Sequence, residues 1–263
     1  STGWATFLEA TIEAGFQVDG TWPMRTERPV GFKAAVNGLA SSIVLVCRKR
    51  PADAPSIGRT EFLRALRQEL PPALKTLQAS TIAPVDMAQA SIGPGMAVFS
   101  RYSEVLEADD TPMSVREALM LINHELDAFL AEQEGEFDSY SRFAVGWFEH
   151  FGWGVGKFGE ANVMATGRGT GVQAIVDAGI LYARAGEVRL LKRCELDPAW
   201  DIRTDTKITV WECCQHLIRR LEGEGEDSAA RLLQTLGHYG ERAGDLAYRL
   251  YAVCERKRWA EEA

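Results

Sequence analysis

Ser41-Ser42-Ile43-Val44-Leu45-Val46-Cys47 is the stretch on which the fold turns, and Arg48-Lys49-Arg50-Pro51 ends it. It is apolar almost throughout and rich in β-branched residues. It falls far short of the roughly 20 residues that a membrane helix needs. It reads instead as a strand buried on both faces, inside a helix-covered α/β sheet. Such a strand needs neighbours, and only one other is evident nearby. Phe16, Val18, Gly20 and Trp22 alternate as a strand does, after a helix whose face is Trp4, Phe7, Leu8 and Ile12 and whose C-cap position is Gly15. Residues 23–40 carry Pro, Gly, Asn and charges and read as a long loop. Two strands and one helix cannot build a sheet core alone. The opening segment is therefore expected to be the last piece of a sheet whose other strands lie upstream of Ser1.

From about residue 58 the pattern becomes helical. Phe62, Leu63, Leu66 and Leu70 mark a helix that Pro71-Pro72 should interrupt or kink. Ile92-Gly93-Pro94-Gly95 predicts a turn. Ser114-Val115-Arg116-Glu117 is a capping box. It opens a long helix with Val115, Leu119, Ile122, Leu126 and Phe129 on one face. An aromatic-rich helix follows over Ser139 to Phe151, and later helices lie near 206–221, 227–236 and 241–257. The expected class is mainly α with a small α/β portion, divided into residues 1–50 and residues 58–263.

Residues 157–192 read differently. Two short helices, near Glu160–Thr166 and Thr170–Ala178, precede a hairpin that turns at Ala185-Gly186. Helix, turn, helix, hairpin is the order of a winged helix, whose second helix can enter a major groove. Arg168 sits in the turn, and Arg184, Arg189, Lys192 and Arg193 decorate the hairpin against a single Glu187. The segment suits either DNA contact or protein packing. A further possible phosphate contact, Arg25, lies in Trp22-Pro23-Met24-Arg25-Thr26-Glu27, where Glu27 could pair with it. The alternative there is a structural hairpin loop.

Composition narrows the function. The 263 residues are 46% hydrophobic and 25% charged, with a net charge of -8. That charge opposes long-range attraction to phosphate, so DNA contact would need a local basic surface or help from other protein. Cys47, Cys194, Cys213, Cys214 and Cys254 are odd in number and lack CxxC spacing. They read as buried thiols rather than a disulfide framework or a zinc site. His124-Glu125 and Glu149-His150 lack a second ligand at i+4, no Gly-x-Ser-x-Gly elbow occurs, and Glu222–Asp227 reads as a solvated turn. No signal peptide and no membrane span are visible, so a cytoplasmic protein is expected.

Gly3-Trp4-Ala5-Thr6-Phe7-Leu8-Glu9-Ala10, Ala14-Gly15-Phe16, Thr21–Glu27 and Ala40–Arg48 together resemble the last helix and last two strands of a class I methyltransferase domain. The match is to large bacterial adenine-specific DNA methylases that carry an N-terminal domain of unknown function and are often encoded near phage-defence genes. Ile82–Asp86, Ile92–Tyr102 and Leu246–Tyr251 are similar to the same family, so the resemblance spans essentially the whole chain. It implies a Rossmann-like methyltransferase sheet ending at residue 50, and a parent enzyme that moves a methyl group from S-adenosylmethionine to the N6 amino group of adenine. Such enzymes flip the base out of the duplex.

The family's Asp/Asn-Pro-Pro-aromatic motif is not in this chain. Its one Pro-Pro is Leu70-Pro71-Pro72-Ala73. Gly152-Trp153-Gly154-Val155-Gly156 and Gly167-Arg168-Gly169-Thr170-Gly171 lack the strand–turn–helix context of a cofactor loop. No catalytic, cofactor or metal residue carries over, and S-adenosylmethionine belongs to the parent enzyme alone. The expected role is a non-catalytic C-terminal portion that completes the catalytic sheet and assists DNA or partner binding. Its partners would be the upstream methyltransferase domain, DNA and phage-defence proteins. The alternative is a stand-alone protein-interaction module of the same ancestry.

Overall fold

The structure is a computed structural model that describes residues 2–25, 41–80, 82 and 84–259. It is mainly helical with small sheets. Two compact units part near residue 130: one reaches Leu130 and takes in Arg258 and Trp259, the other is Ala131–Lys257.

In the first unit, α1 (Thr2–Glu13) buries Ala5 and Leu8 and leaves Phe7 exposed, so its inner face is rotated from the expected one. Gly15 takes the left-handed conformation expected of a C-cap. β1 (Phe16–Arg25) and β2 (Ser41–Lys49) pair antiparallel, with Thr21 opposite Leu45, Trp22 opposite Val44 and an irregularity between Val18 and Gly20. The expectation that β2 is buried on both faces fails here. None of Ser42–Lys49 is buried, because the sheet has two strands and one covered face.

That covered face lies on α3 (Pro84–Ala90) and α4 (Ile92–Ser100). The Val18 backbone N–H donates to Ser100 Oγ at 2.8 Å, and Thr21 Oγ1 donates to the Ala90 carbonyl at 2.8 Å. Ile92-Gly93-Pro94-Gly95 is thus not a turn but the first turn of α4. Proline fits there because the first N–H groups of a helix have no intrahelical partner. The glycines serve close approach: a β-carbon at Gly93 would collide with the Thr21 backbone, and one at Gly95 with Ile122.

α2 (Arg59–Ala79) runs through Pro71 and Pro72 without a break in helical assignment. It buries Phe62, Leu66, Leu70 and Leu74, spaced four apart, and that stripe outweighs the lost hydrogen bonds. The two freed carbonyls belong to Arg67 and Gln68, both exposed, so water reaches them. β3 (Ile57–Gly58) and β4 (Val105–Leu106) form one short parallel pair. α5 (Val115–Glu134) has the expected cap: Ser114 Oγ accepts from the Glu117 N–H, and Glu117 accepts from the Ser114 N–H. Its buried face carries Val115, Leu119, Ile122, Leu126 and Phe129.

The second unit is built on α6 (Ser139–Phe151), whose Phe143, Trp147 and Phe148 are buried. Then come β5 (Gly156–Lys157), α7 (Phe158–Thr166), α8 (Val172–Asp177), β6 (Leu181–Arg184) and β7 (Glu187–Leu190). The sheet order is β5-β7-β6. A 3-10 turn at Arg193–Glu195 leads through a loop to α9 (Val210–Glu224), α10 (Glu226–Leu236) and α11 (His238–Lys257). Glu222–Asp227, expected as a solvated turn between helices, is exposed and breaks at Gly225, whose positive φ separates α9 from α10. Arg249 on α11 is buried; its Nε donates to Glu134 at 3.0 Å and its Nη2 to Glu149 at 2.8 Å.

Candidate functional site

The hairpin of β6 and β7 turns on Ala185 and Gly186, both at positive φ, and brings Arg184 opposite Glu187. Arg184 is exposed and has no ion pair among the described residues, and the same holds for the Lys192 side chain. The other cations are engaged. Arg189 forks onto Glu195 at 2.6 and 2.7 Å and lies 4.8 Å from the Tyr182 ring centroid. That fork, with the Lys192 backbone N–H, holds the Glu195 carboxyl down to about 2. Arg193 donates to Glu222 at 2.7 Å and to Gln215 at 3.2 Å, over the ring of Trp153.

Arg168 stitches the turn between α7 and α8 onto α6. Its Nε donates to the Arg142 carbonyl at 3.0 Å and its Nη1 to the Met164 carbonyl at 3.3 Å. The guanidinium occupies the space a side chain at Gly146 would need. Arg168 also lines, with Arg142, a recess of about 430 Å³. Arg142 Nε is buried there without a partner. Sequence reasoning missed Arg142, since nothing in its spacing ties it to Arg168. The side chain of Arg25, and Glu27 with it, lie outside the described residues.

The most perturbed carboxyl is elsewhere in this unit. Glu212 on α9 is buried, and burial followed by its hydrogen bond with Asp205 pushes it up to about 8. Asp205, itself partly buried, is held below its ordinary value by hydrogen bonds from Lys207, Trp200 and Glu212. Glu212 thus keeps the proton and Asp205 the charge. Trp200 donates Nε1 to Asp205 at 2.9 Å and stacks on His216 at 4.2 Å between centroids. Burial, then the charges of Arg219 and Arg220, push the His216 imidazole down to about 4.

No group of three or more His, Cys, Asp or Glu suited to a metal occurs among the described residues. Cys213, Cys214 and Cys254 are buried as expected, but Cys47 is half-buried and Cys194 exposed. No helix among the described residues is long and apolar enough to cross a membrane.

In the first unit, Trp22, Met24 and Val44 share the uncovered face of the β1–β2 pair and are 65%, 53% and 42% exposed. Among the described residues β2 pairs with β1 alone.

Residues 138–263 match a family described as a domain of unknown function, DUF8807. The match starts at Asp138, the N-cap of α6, and nearly coincides with the second unit. No curated protein and no solved structure matches the chain.

Proposed function

We propose that this chain is a non-catalytic C-terminal portion of an S-adenosylmethionine-dependent adenine-N6 DNA methyltransferase. α1, β1 and β2 complete the Rossmann-like catalytic sheet, and the helical remainder assists DNA or partner binding. One observation carries the reading: a helix followed by an antiparallel pair that, among the described residues, has two strands only and whose uncovered face is Trp22, Met24 and Val44. That is what the end of a larger sheet presents. Burying such side chains is worth about 1.5–3 kcal/mol each, and an exposed apolar edge strand invites pairing.

For the second unit the reading is a winged helix. Its support is the order α6, β5, α7, α8, β6, β7 and the sheet order β5-β7-β6. In α8 the exposed Gln173 and Asp177 bond each other, which leaves no cation on the helix that would enter a groove. Within the winged segment, DNA contact then falls to Arg184, Lys192 and the recess of Arg142 and Arg168. A second reading, docking of a defence-associated protein, is favoured by Phe158 and Val163 on α7, the latter 74% exposed, and by the net charge of -8.

The test is methyl transfer from labelled S-adenosylmethionine to duplex DNA. The 263-residue chain alone is expected to transfer nothing and to bind no S-adenosylmethionine, while the full native polypeptide methylates adenine at N6. Saturable cofactor binding by this chain, or no adenine methylation by the native polypeptide, overturns the reading.

A further inference from the structure

A groove on the second unit gathers cations that the hairpin does not carry. The loop before α9 supplies Trp200 and Arg203, α9 supplies Arg219 and Arg220, and α10 supplies Arg231. The groove consists of two adjoining recesses, of about 90 and 180 Å³, that share Trp200, Arg220 and Leu232 in their walls. Its charged lining is four arginines against two carboxylates, Asp201 and Glu224, in a chain of net charge -8.

The arginines differ in how firmly they are held. Arg231 is exposed and has no ion pair among the described residues. Arg220 reaches Glu224 and Ser228 at 3.5 and 3.4 Å. Arg203 forks onto its near neighbour Asp201, at an exposed site where a phosphate can compete for the guanidinium. Arg219 spends one nitrogen on the Leu196 carbonyl at 2.7 Å. The field of this cluster reaches the groove wall, since Arg219 and Arg220 help hold His216 neutral beneath Trp200.

We propose that this groove binds the phosphodiester backbone of DNA. The inference rests on the reading of the chain as part of a DNA-modifying enzyme, and it names where the second unit meets phosphate. A run of planar guanidinium forks matches phosphate oxygens. Two adjoining recesses suit a polymer of phosphates, which gains from several weak contacts through counterion release.

The test uses the whole chain and a fluorescein-labelled duplex of random sequence, read by anisotropy across a salt series. The expected Kd is about 10⁻⁴ to 10⁻⁶ M near physiological salt. Arg203→Gln with Arg231→Gln, both at exposed sites, should weaken binding about tenfold and lower the salt slope by about two. Circular dichroism and Tm matched to wild type show that the variant is folded. Binding that is absent in wild type, or unchanged in this variant and lost in Arg184→Gln with Lys192→Gln, overturns the groove. A second arm titrates inorganic phosphate and follows the His216 ring resonances. A shift with phosphate and none with duplex reduces the groove to a small-anion site and overturns the nucleic-acid assignment. Methyl transfer is not read in either arm. Failure of the methyltransferase reading leaves these results standing, and failure here leaves that reading intact.

Discussion

The carboxylate of Asp138 accepts the backbone N–H of Val210 at 3.0 Å, across 72 residues of sequence. The same side chain caps its own helix through the Ser141 N–H at 2.8 Å. Ser141 Oγ in turn accepts the Trp211 N–H at 2.8 Å. One Asp–Ser pair therefore satisfies orphan donors at the starts of both α6 and α9.

Asp138→Ala should lower stability by about 2 kcal/mol, more than a single lost cap, because two helix starts lose an acceptor. Urea unfolding of the variant checks this. A loss no larger than that of an exposed control cap would show the two helices to be independent.

Arg249→Met should cost about 3 kcal/mol, since it leaves Glu134 and Glu149 without their shared buried cation. Adding Glu134→Gln should restore part of that loss in chemical denaturation. Arg256 still pairs with Glu149 at 2.6 Å, so the restoration is incomplete only if Glu149 also needs Arg249.

Glu212 makes stability depend on alkaline pH. Its pKa is raised from 4.5 to about 8 on folding. The stabilisation is fully present below pH 4.5 and is lost as pH rises through about 8, because the unfolded chain releases that proton first. His216, lowered from 6.5 to about 4, acts oppositely: its contribution is present above 6.5 and lost as pH falls through about 4. Between 6.5 and 8 the Glu212 slope stands alone of the two. Tm measured across that window should fall in wild type and flatten in Glu212→Gln.

Gly93→Ala should destabilise by about 1–3 kcal/mol through overpacking against Thr21. Gly159→Ala, where an added β-carbon meets nothing within 4 Å, serves as the matched control in thermal unfolding.

The long helices were legible because their apolar stripes are local: Val115, Leu119, Ile122 and Leu126 declare themselves, as does the Ser114–Glu117 cap. The Gly-Pro-Gly of α4 misleads because its glycines answer to Thr21 and Ile122, which are remote in sequence. β5 is two residues long and leaves no period to read. The candidate interface was legible in residue type and not in availability. Arg189 and Arg193 are neutralised by Glu195 and Glu222, carboxylates outside the hairpin against which only Glu187 was weighed. The arginines of the groove come from three segments, and only folding brings them around Trp200.

The central claim is that β2 is an inner strand of a larger sheet. Hydrogen exchange at the backbone N–H groups of Ile43–Val46 tests it most directly, in the native polypeptide and in the 263-residue chain alone. Strong protection of the whole strand in the native polypeptide, with half of those groups exchanging freely in the isolated chain, is the predicted result. Equal protection in both would mean that the rest of the native polypeptide adds no strand beside β2, and would contradict the account.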